Sequence, residues 1–256
     1  MINLNNLKTI NQTEAHGKMS NRYGFVPTSR VIDQLSNQGW LPVSAKESGV
    51  RKVSSQGYQR HVLRFRHADN LQNGIVLHEV FPEIVLVNDH MGTSAFKLFS
   101  GLFRRVCANG LTVGDTFESF SIKHIGYTNS KVSDAVNQLS PNAVRVLDCV
   151  DSWRVKTLSR DQQLAFAKAA IELKFDGDKY AVEPRDLIRP RRHAYINTDL
   201  FTTMNVIQEN LIRGGVTQRR TDGSRIRSRG VKNIKEDIRI NQALWTLTEE
   251  MSRLIA

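Results

Sequence analysis

The stretch from Gly92 to Gly110 limits the fold more than any other. Phe96, Phe99, Phe103 and Val106 recur at helical spacing, Leu98 and Leu102 widen the apolar face, and Lys97, Gly101, Arg104 and Arg105 fall on another side. Thr93 or Ser94 can cap the start, and Asn109-Gly110 is the pair best able to turn left-handed and stop a helix. The pattern predicts a packed central helix that brings Arg104 and Arg105 to the surface in its last turn, with the rest of the first half as sheet around it.

Upstream, Pro27-Thr28-Ser29 opens a short helix with Val31, Ile32 and Leu35 on one face, closing at Gln38-Gly39-Trp40. From Tyr58 the period drops to two. Leu63 and Phe65 then share one face of a strand, and Arg60, Arg64 and Arg66 the other. Ile84-Val85-Leu86-Val87 is a continuous apolar run, which suits a strand covered on both faces. Leu111 to Val113 and Phe117 to Ile125 return to strand-like patterning and end at Lys123-His124.

The second half reads as helix. Val132, Val136 and Leu139 make one stripe, Pro141 interrupts it, and Val144, Leu147 and Val150 resume it. Residues 161–175, the stripe Leu200, Met204, Ile207 and Leu211 ending at Gly214-Gly215, and residues 233–255 supply three more helices. The class is therefore α+β: an antiparallel sheet packed on a central helix, followed by a helical, arginine-rich C-terminal half. Residues 1–26, poor in large apolar groups, are expected as an N-terminal arm, 27–127 as the α+β core domain, and 128–256 as the helical basic region, either separate from or continuous with the core.

Charge narrows the partner. Lys and Arg number 36 against 25 Asp and Glu, a net +11 with a pI near 9.9, and such a surplus favours a polyanion through phosphate neutralisation and counterion release. From Arg185 to Arg239 there are thirteen Lys and Arg against six Asp and Glu, so most of the surplus lies there. Arginine dominates, and its planar fork makes bidentate phosphate contacts. Arg191 and Arg192 close one basic cluster. Arg219, Arg220, Arg225, Arg227 and Arg229 lie in a run almost without apolar groups, read as a nucleic-acid contact or as a solvated loop.

The stripe Arg60, Arg64, Arg66 spaces like charges about 7 Å apart, close to the phosphate repeat of an extended single strand. The competing reading pairs these arginines with Glu79, Glu83 or Glu118. Arg104 and Arg105 are equally explained by the dipole of a helix end. Tyr58, Phe65, Tyr127 and Tyr195 lie near basic residues and could stack bases.

Signs of catalysis are few. No Walker loop, Gly-x-Gly-x-x-Gly, Gly-x-Ser-x-Gly or metal-ligand spacing occurs, so neither an enzyme, a cofactor nor a metal is expected. Asn88-Asp89-His90 is the one polar knot, readable as helix-entry capping or, through Asp89 and His90, as a nuclease-like site. No apolar window reaches about eighteen residues and the N-terminus lacks a signal-peptide pattern, so the expectation is a cytoplasmic protein without membrane contact. Cys107 and Cys149, far apart, are expected as buried reduced thiols.

Tyr23-Gly24-Phe25-Val26-Pro27-Thr28, Pro82-Glu83-Ile84, Asn88-Asp89-His90-Met91-Gly92-Thr93-Ser94-Ala95-Phe96, Gly101 to Leu111 and Asn205 to Gly215 together resemble the phage/plasmid-like family filed as domain of unknown function 932. The likeness spans nearly the whole chain. It implies carriage by phages, plasmids and prophages and brings no established activity. A more distant likeness in element order, with Asn37-Gln38-Gly39-Trp40 and Gly101-Leu102-Phe103-Arg104-Arg105, is to single-strand annealing proteins of the Rad-fifty-two type. That likeness implies rings or filaments laying single-stranded DNA along a basic groove, without nucleotide hydrolysis.

The leading expectation is a nucleic-acid-binding protein of a mobile element. It would bind single-stranded DNA, or double-stranded DNA, and promote annealing or recombination as a homo-oligomer. Arg60, Arg64 and Arg66 would track the backbone, Arg104, Arg105 and Lys123 line the groove, and Arg191, Arg192 and Arg219 to Arg229 clamp the strand. The alternative is a counter-defence or regulatory protein that uses the basic loop against a host protein or an anionic nucleotide.

Overall fold

Ile84-Val85-Leu86-Val87 lies inside a strand buried on both faces, as its unbroken apolar run requires. The computed structural model describes residue 4 and residues 6–72, 80–104, 109–112, 119–122 and 129–255. In chain order the elements are α1 (Thr28–Asn37), β1 (Trp40–Glu47), β2 (His61–His67), α2 (Asp69–Gln72), β3 (Val80–Asn88), β4 (Phe96–Arg104), β5 (Asn109–Thr112), β6 (Ser119–Ile122) and α3 (Asn129–Arg154). They continue with α4 (Arg160–Ile171), β7 (Tyr180–Ala181), α5 (Pro184–Leu187), α6 (Leu200–Arg213), β8 (Thr217–Arg220), β9 (Arg225–Arg227) and α7 (Ile234–Leu254). Two units emerge, one of Met1–Arg105 with Phe117–Val146, the other of Val106–Thr116 with Leu147–Ala256.

The first unit is an antiparallel sheet in the order β1-β2-β3-β4-β6. One face gathers Leu63 and Phe65 of β2, Ile84 and Leu86 of β3, and Phe96 and Leu98 of β4. Val31, Ile32 and Leu35 of α1 and Val132, Ala135, Val136 and Leu139 of α3 cover them. Each such side chain taken fully from water contributes about 1.5–3 kcal/mol.

The central helix expected over 92–110 is not there. Residues 96–104 form β4, whose register against β3 runs from Val87↔Lys97 to Val80↔Arg104. Phe96, Leu98, Ser100 and Leu102 satisfy a period of two as well as the phenylalanines satisfy helical spacing, and Gly101 would cost a helix interior about 1 kcal/mol. A strand buried on both faces also needs hydrogen-bonding neighbours on both edges, and β2 supplies only one of them to β3. The helices packed on the sheet are α1 and the first part of α3.

Two further expectations give way. Pro141 does not interrupt α3, whose backbone runs through it for 26 residues. The lost hydrogen bond is outweighed by apolar groups buried on either side, Val132 to Leu139 and Val146 to Trp153. Nor is the N-terminal segment a free arm. Ile10 and Val26 are 4% and 0% exposed and belong to the sheet's core, and Thr9 donates from both its backbone N–H and its hydroxyl to Glu47 Oε1 at 2.9 and 2.7 Å.

In the second unit α6 is buried on all sides from Leu200 to Leu211. Its polar residues are satisfied there: Gln208 donates to Asn241 Oδ1 at 2.7 Å, and Asn210 donates to the carbonyls of Leu187 and Arg189 at 2.7 and 3.1 Å. Around it pack α4, α5 and α7, with Trp153 and Trp245 in ring contact at 4.5 Å. Ser159 and Gln162 form a reciprocal capping box at the start of α4. Cys149 is half-buried rather than enclosed, and Cys107 lies outside the described residues.

Candidate nucleic-acid interface

The basic face of β2 is committed to carboxylates. Arg64 donates from Nη1 to Glu83 Oε2 and Arg66 from Nε to Glu83 Oε1, both at 2.9 Å, and Glu83 is fully buried. Arg66 also lies 5.5 Å over the Phe81 ring. Arg60 is 3.9 Å from Asp89 Oδ2. Three arginines facing two carboxylates, each arginine side chain at most 20% exposed, make a half-buried network rather than an open track. Arg104 ends β4 instead of a helix, and its side chain, Arg105 and Lys123 lie outside the described residues.

Asn88-Asp89-His90 is a turn knot between β3 and β4, not a helix entry. Asp89 accepts from the backbone N–H of Met91 at 2.8 Å and of Thr93 at 3.4 Å, and from the Thr93 hydroxyl at 2.5 Å. His61 Nδ1 donates to Gln59 O at 3.0 Å, which leaves Nε2 to accept from the Thr28 hydroxyl at 2.8 Å. Asn88 Nδ2 donates to Thr28 Oγ1 at 3.0 Å. The knot joins β2, β3 and α1, and Asn88, Asp89, His90, His61 and Thr28 are all buried.

Burial drives the His61 pKa down to about 4, against the Gln59 carbonyl and the Asp89 charge, which raise it. An unfolded chain protonates this ring near 6.5, so below that pH the unfolded state takes up a proton that the folded state refuses. Stability is therefore expected to fall as pH drops from 6.5 toward 4, by roughly 2 kcal/mol at pH 5. Urea midpoints at pH 7 and pH 5, above the range where most carboxylates protonate, measure it. Equal midpoints contradict it.

A group of exposed arginines lies on the second unit. The run from Gln218 to Gly230 is not a loop but a hairpin, β8 and β9, joined to β7 in a three-stranded antiparallel sheet. Its tip is closed by Gly223 at φ 82°, by Arg220 N–H donating to Ser224 O at 2.9 Å and by Ser224 N–H donating to Asp222 Oδ1 at 2.8 Å. The register pairs Thr217 with Arg227, Gln218 with Ile226 and Arg219 with Arg225. Thr217, Arg219, Arg225 and Arg227 therefore share one face, while Gln218, Arg220, Ile226 and Tyr180 of β7 share the other. Asp222-Gly223 was the legible turn signal, but flanking arginines in place of alternating apolar residues hid the strands.

Arg219 and Arg225 stand directly opposite one another with the same charge. Such a pair has its Cβ atoms about 4.5–5.5 Å apart and is destabilising unless an anion sits between them. All five arginines from 219 to 229 are exposed, and none is ion-paired to a carboxylate among the described residues. Arg225→Glu is expected to raise thermal stability by about 0.2–1 kcal/mol by making an opposite-charge cross-strand pair, while weakening polyanion binding. A stability loss in that variant contradicts a ligand role for the face.

Two cations next to the hairpin have different duties. Arg192 is held by buried Glu209, which accepts from its Nε at 3.1 Å and its Nη2 at 2.9 Å and also lies 3.3 Å from Arg213. Arg192 is therefore structural. Arg191 donates to Asn210 Oδ1 at 2.6 Å and to Gly214 O, so it is aimed rather than neutralised. It lines a cavity of about 330 Å³ with Arg189, Arg227, Thr217 and a single carboxylate, Asp186. Arg189 opens the basic cluster that holds Arg191 and Arg192, but was not among the contacts expected from sequence.

Of the aromatics expected to stack, Phe65 and Tyr195 are buried, Tyr58 packs edge-on against His16 at 5.0 Å, and Tyr127 lies outside the described residues. Among the described residues no group of three or more His, Cys, Asp or Glu is placed to hold a metal ion, and no helix is long and apolar enough to cross a membrane.

A family model described as a domain of unknown function, DUF932, matches residues 15–245. This chain belongs to the DUF932 family. The DUF932 chain is 34% identical over 238 residues to the UPF0380 protein YafZ of Escherichia coli strain K12, covering 93% of this chain and 85% of the relative. It shows the same identity and coverage with the UPF0380 protein YfjQ of that strain. No solved structure matches it. In this DUF932 chain, Asn205 to Gly215, one of the stretches that carried the resemblance, is α6 with its stop. Its Glu209 and Asn210 hold the loop that bears Arg189, Arg191 and Arg192.

Proposed function

We propose that this DUF932 protein binds nucleic acid, single-stranded DNA first, through the arginine face of the β8–β9 hairpin and the adjoining Arg189 and Arg191. The observation that carries the reading is the like-charged Arg219–Arg225 pair, exposed and without a carboxylate partner among the described residues, on a ribbon that fixes both side chains to one face. A net charge of +11, of which +7 lies between Arg185 and Arg239, supports the same partner. The role would be strand annealing or recombination for a mobile element. That role requires several copies to act on one strand, which particle sizing with and without an oligonucleotide measures.

Fluorescence anisotropy of a labelled single-stranded oligonucleotide at low salt tests binding itself. Arg219→Ala and Arg225→Ala are each expected to weaken it about fivefold, a loss near 1 kcal/mol, without preference for sequence. Absence of binding, or variants that bind as well as the wild type, would reject the reading.

A further inference from the structure

The second face of the same ribbon differs in kind from the arginine face. It borders an open cleft of about 380 Å³, lined by Lys174, Phe175, Lys179, Tyr180, Gln218 and Arg229, with Ser228 and Asp176 completing the wall. We propose that this cleft receives one unstacked nucleobase of a bound single strand. In this inference, which rests on the nucleic-acid reading above, Tyr180 stacks on the base, Gln218 reads its edge, and Lys174 and Arg229 hold the adjoining phosphate.

Gln218 is the observation that asks for a ligand. Its side chain lines the cleft, the residue is only 7% exposed, and its amide has no hydrogen-bond partner among the described residues. The body of the residue is buried while its amide atoms reach the open cleft rather than protein, and their paired donor and acceptor match the hydrogen-bonding edge of a base. Tyr180 is opposite Arg220 and on the same ribbon face as Gln218, half-buried, so part of its ring remains open to the cleft. Phe175, 6% exposed, adds apolar wall.

The cations suit a phosphate at the rim. Lys179 is bound to Asp176 at 2.6 Å, which leaves Lys174 and Arg229 as the surplus. Lys174 donates to Leu211 O, and to Arg229 O at 2.8 Å, so two of its three donors are spent on fixing its direction. Burial and then the Arg191 charge lower its pKa to about 8, with Glu236 opposing, so its ammonium lies where a further anion is favoured. Duplex DNA keeps its bases stacked and paired, so the cleft favours single strands.

The test compares two strands of about 12 nucleotides and equal charge, an oligodeoxyadenylate and its fully abasic counterpart. Wild-type protein is expected to bind the base-bearing strand roughly tenfold tighter. Tyr180→Ala is expected to remove that difference, lowering affinity for the base-bearing strand and leaving the abasic strand unchanged, while Tyr180→Phe retains it. Equal wild-type affinity for both strands would overturn the cleft while leaving the arginine face standing. So would a Tyr180→Ala loss that is the same on both strands. If wild type binds neither strand, the cleft and the nucleic-acid reading fall together.

Discussion

Glu83→Gln is expected to lower the unfolding free energy by about 3–5 kcal/mol and to leave oligonucleotide affinity unchanged. The carboxylate is fully buried and each oxygen holds one arginine at 2.9 Å, Arg64 on Oε2 and Arg66 on Oε1. A neutral amide of the same shape strips the charge from between two guanidinium groups that are only 17% exposed, so both stay desolvated and repel each other. Urea unfolding measures the loss. A change below about 1 kcal/mol, the range of exposed ion pairs, would mean that these arginines are effectively solvated and available to phosphate, contrary to the structural role given to them.

Gly214→Ala is expected to cost about 3 kcal/mol and to weaken oligonucleotide binding with it. Gly214 ends α6 at φ 72°, ψ −154°, a conformation open essentially to glycine alone. A methyl group there would stand 2.5 Å from the Arg229 carbonyl carbon and 2.6 Å from Gly230 N and Ser228 O, all backbone, so no rotamer change relieves it. The same close approach seats the hairpin, because Gly215 N–H donates to Ser228 O at 2.7 Å and Val231 N–H to Ile212 O at 2.8 Å. Gly223→Ala is the control. Gly223 has φ 82° but open space around it, so only the backbone cost of about 1–2 kcal/mol applies. Equal losses in the two variants would show that the backbone contact at Gly214 is not tight.

Much of the fold was legible, and the misses share a cause. The short helix at Thr28, the doubly buried strand at Ile84 and the stop at Gly214-Gly215 each rested on a pattern that fits one structure only. Residues 96–104 fit two periods at once, and what decided between them was the need of β3 for a second hydrogen-bonding neighbour, a tertiary demand invisible in the segment itself. The hairpin was missed because strand reading depends on alternating apolar groups, and this ribbon alternates arginine with glutamine and isoleucine instead.

For the proposed site, charge density pointed to a region, and only the fold separates the arginines there that a carboxylate holds from those that none holds among the described residues. Arg192 and Arg219 look alike in sequence, yet one faces Glu209, which only the fold places beside it, and the other faces Arg225. Arg64 and Arg66 illustrate the same point, since a basic strand face becomes structural once Glu83 of the adjacent strand lies within reach. Gln218 carried no signal at all, because a lone glutamine acquires meaning only when it is buried beside a cleft.

The dependence of single-strand affinity on salt, compared between wild type and the triple variant Arg219→Ala, Arg225→Ala, Arg227→Ala, tests the central claim most directly. For a single strand each phosphate contact contributes about 0.7 to the slope of log affinity against log salt, so the triple variant is expected to lose about 2 from the slope. A slope equal to that of wild type would place the binding cations elsewhere and contradict the account.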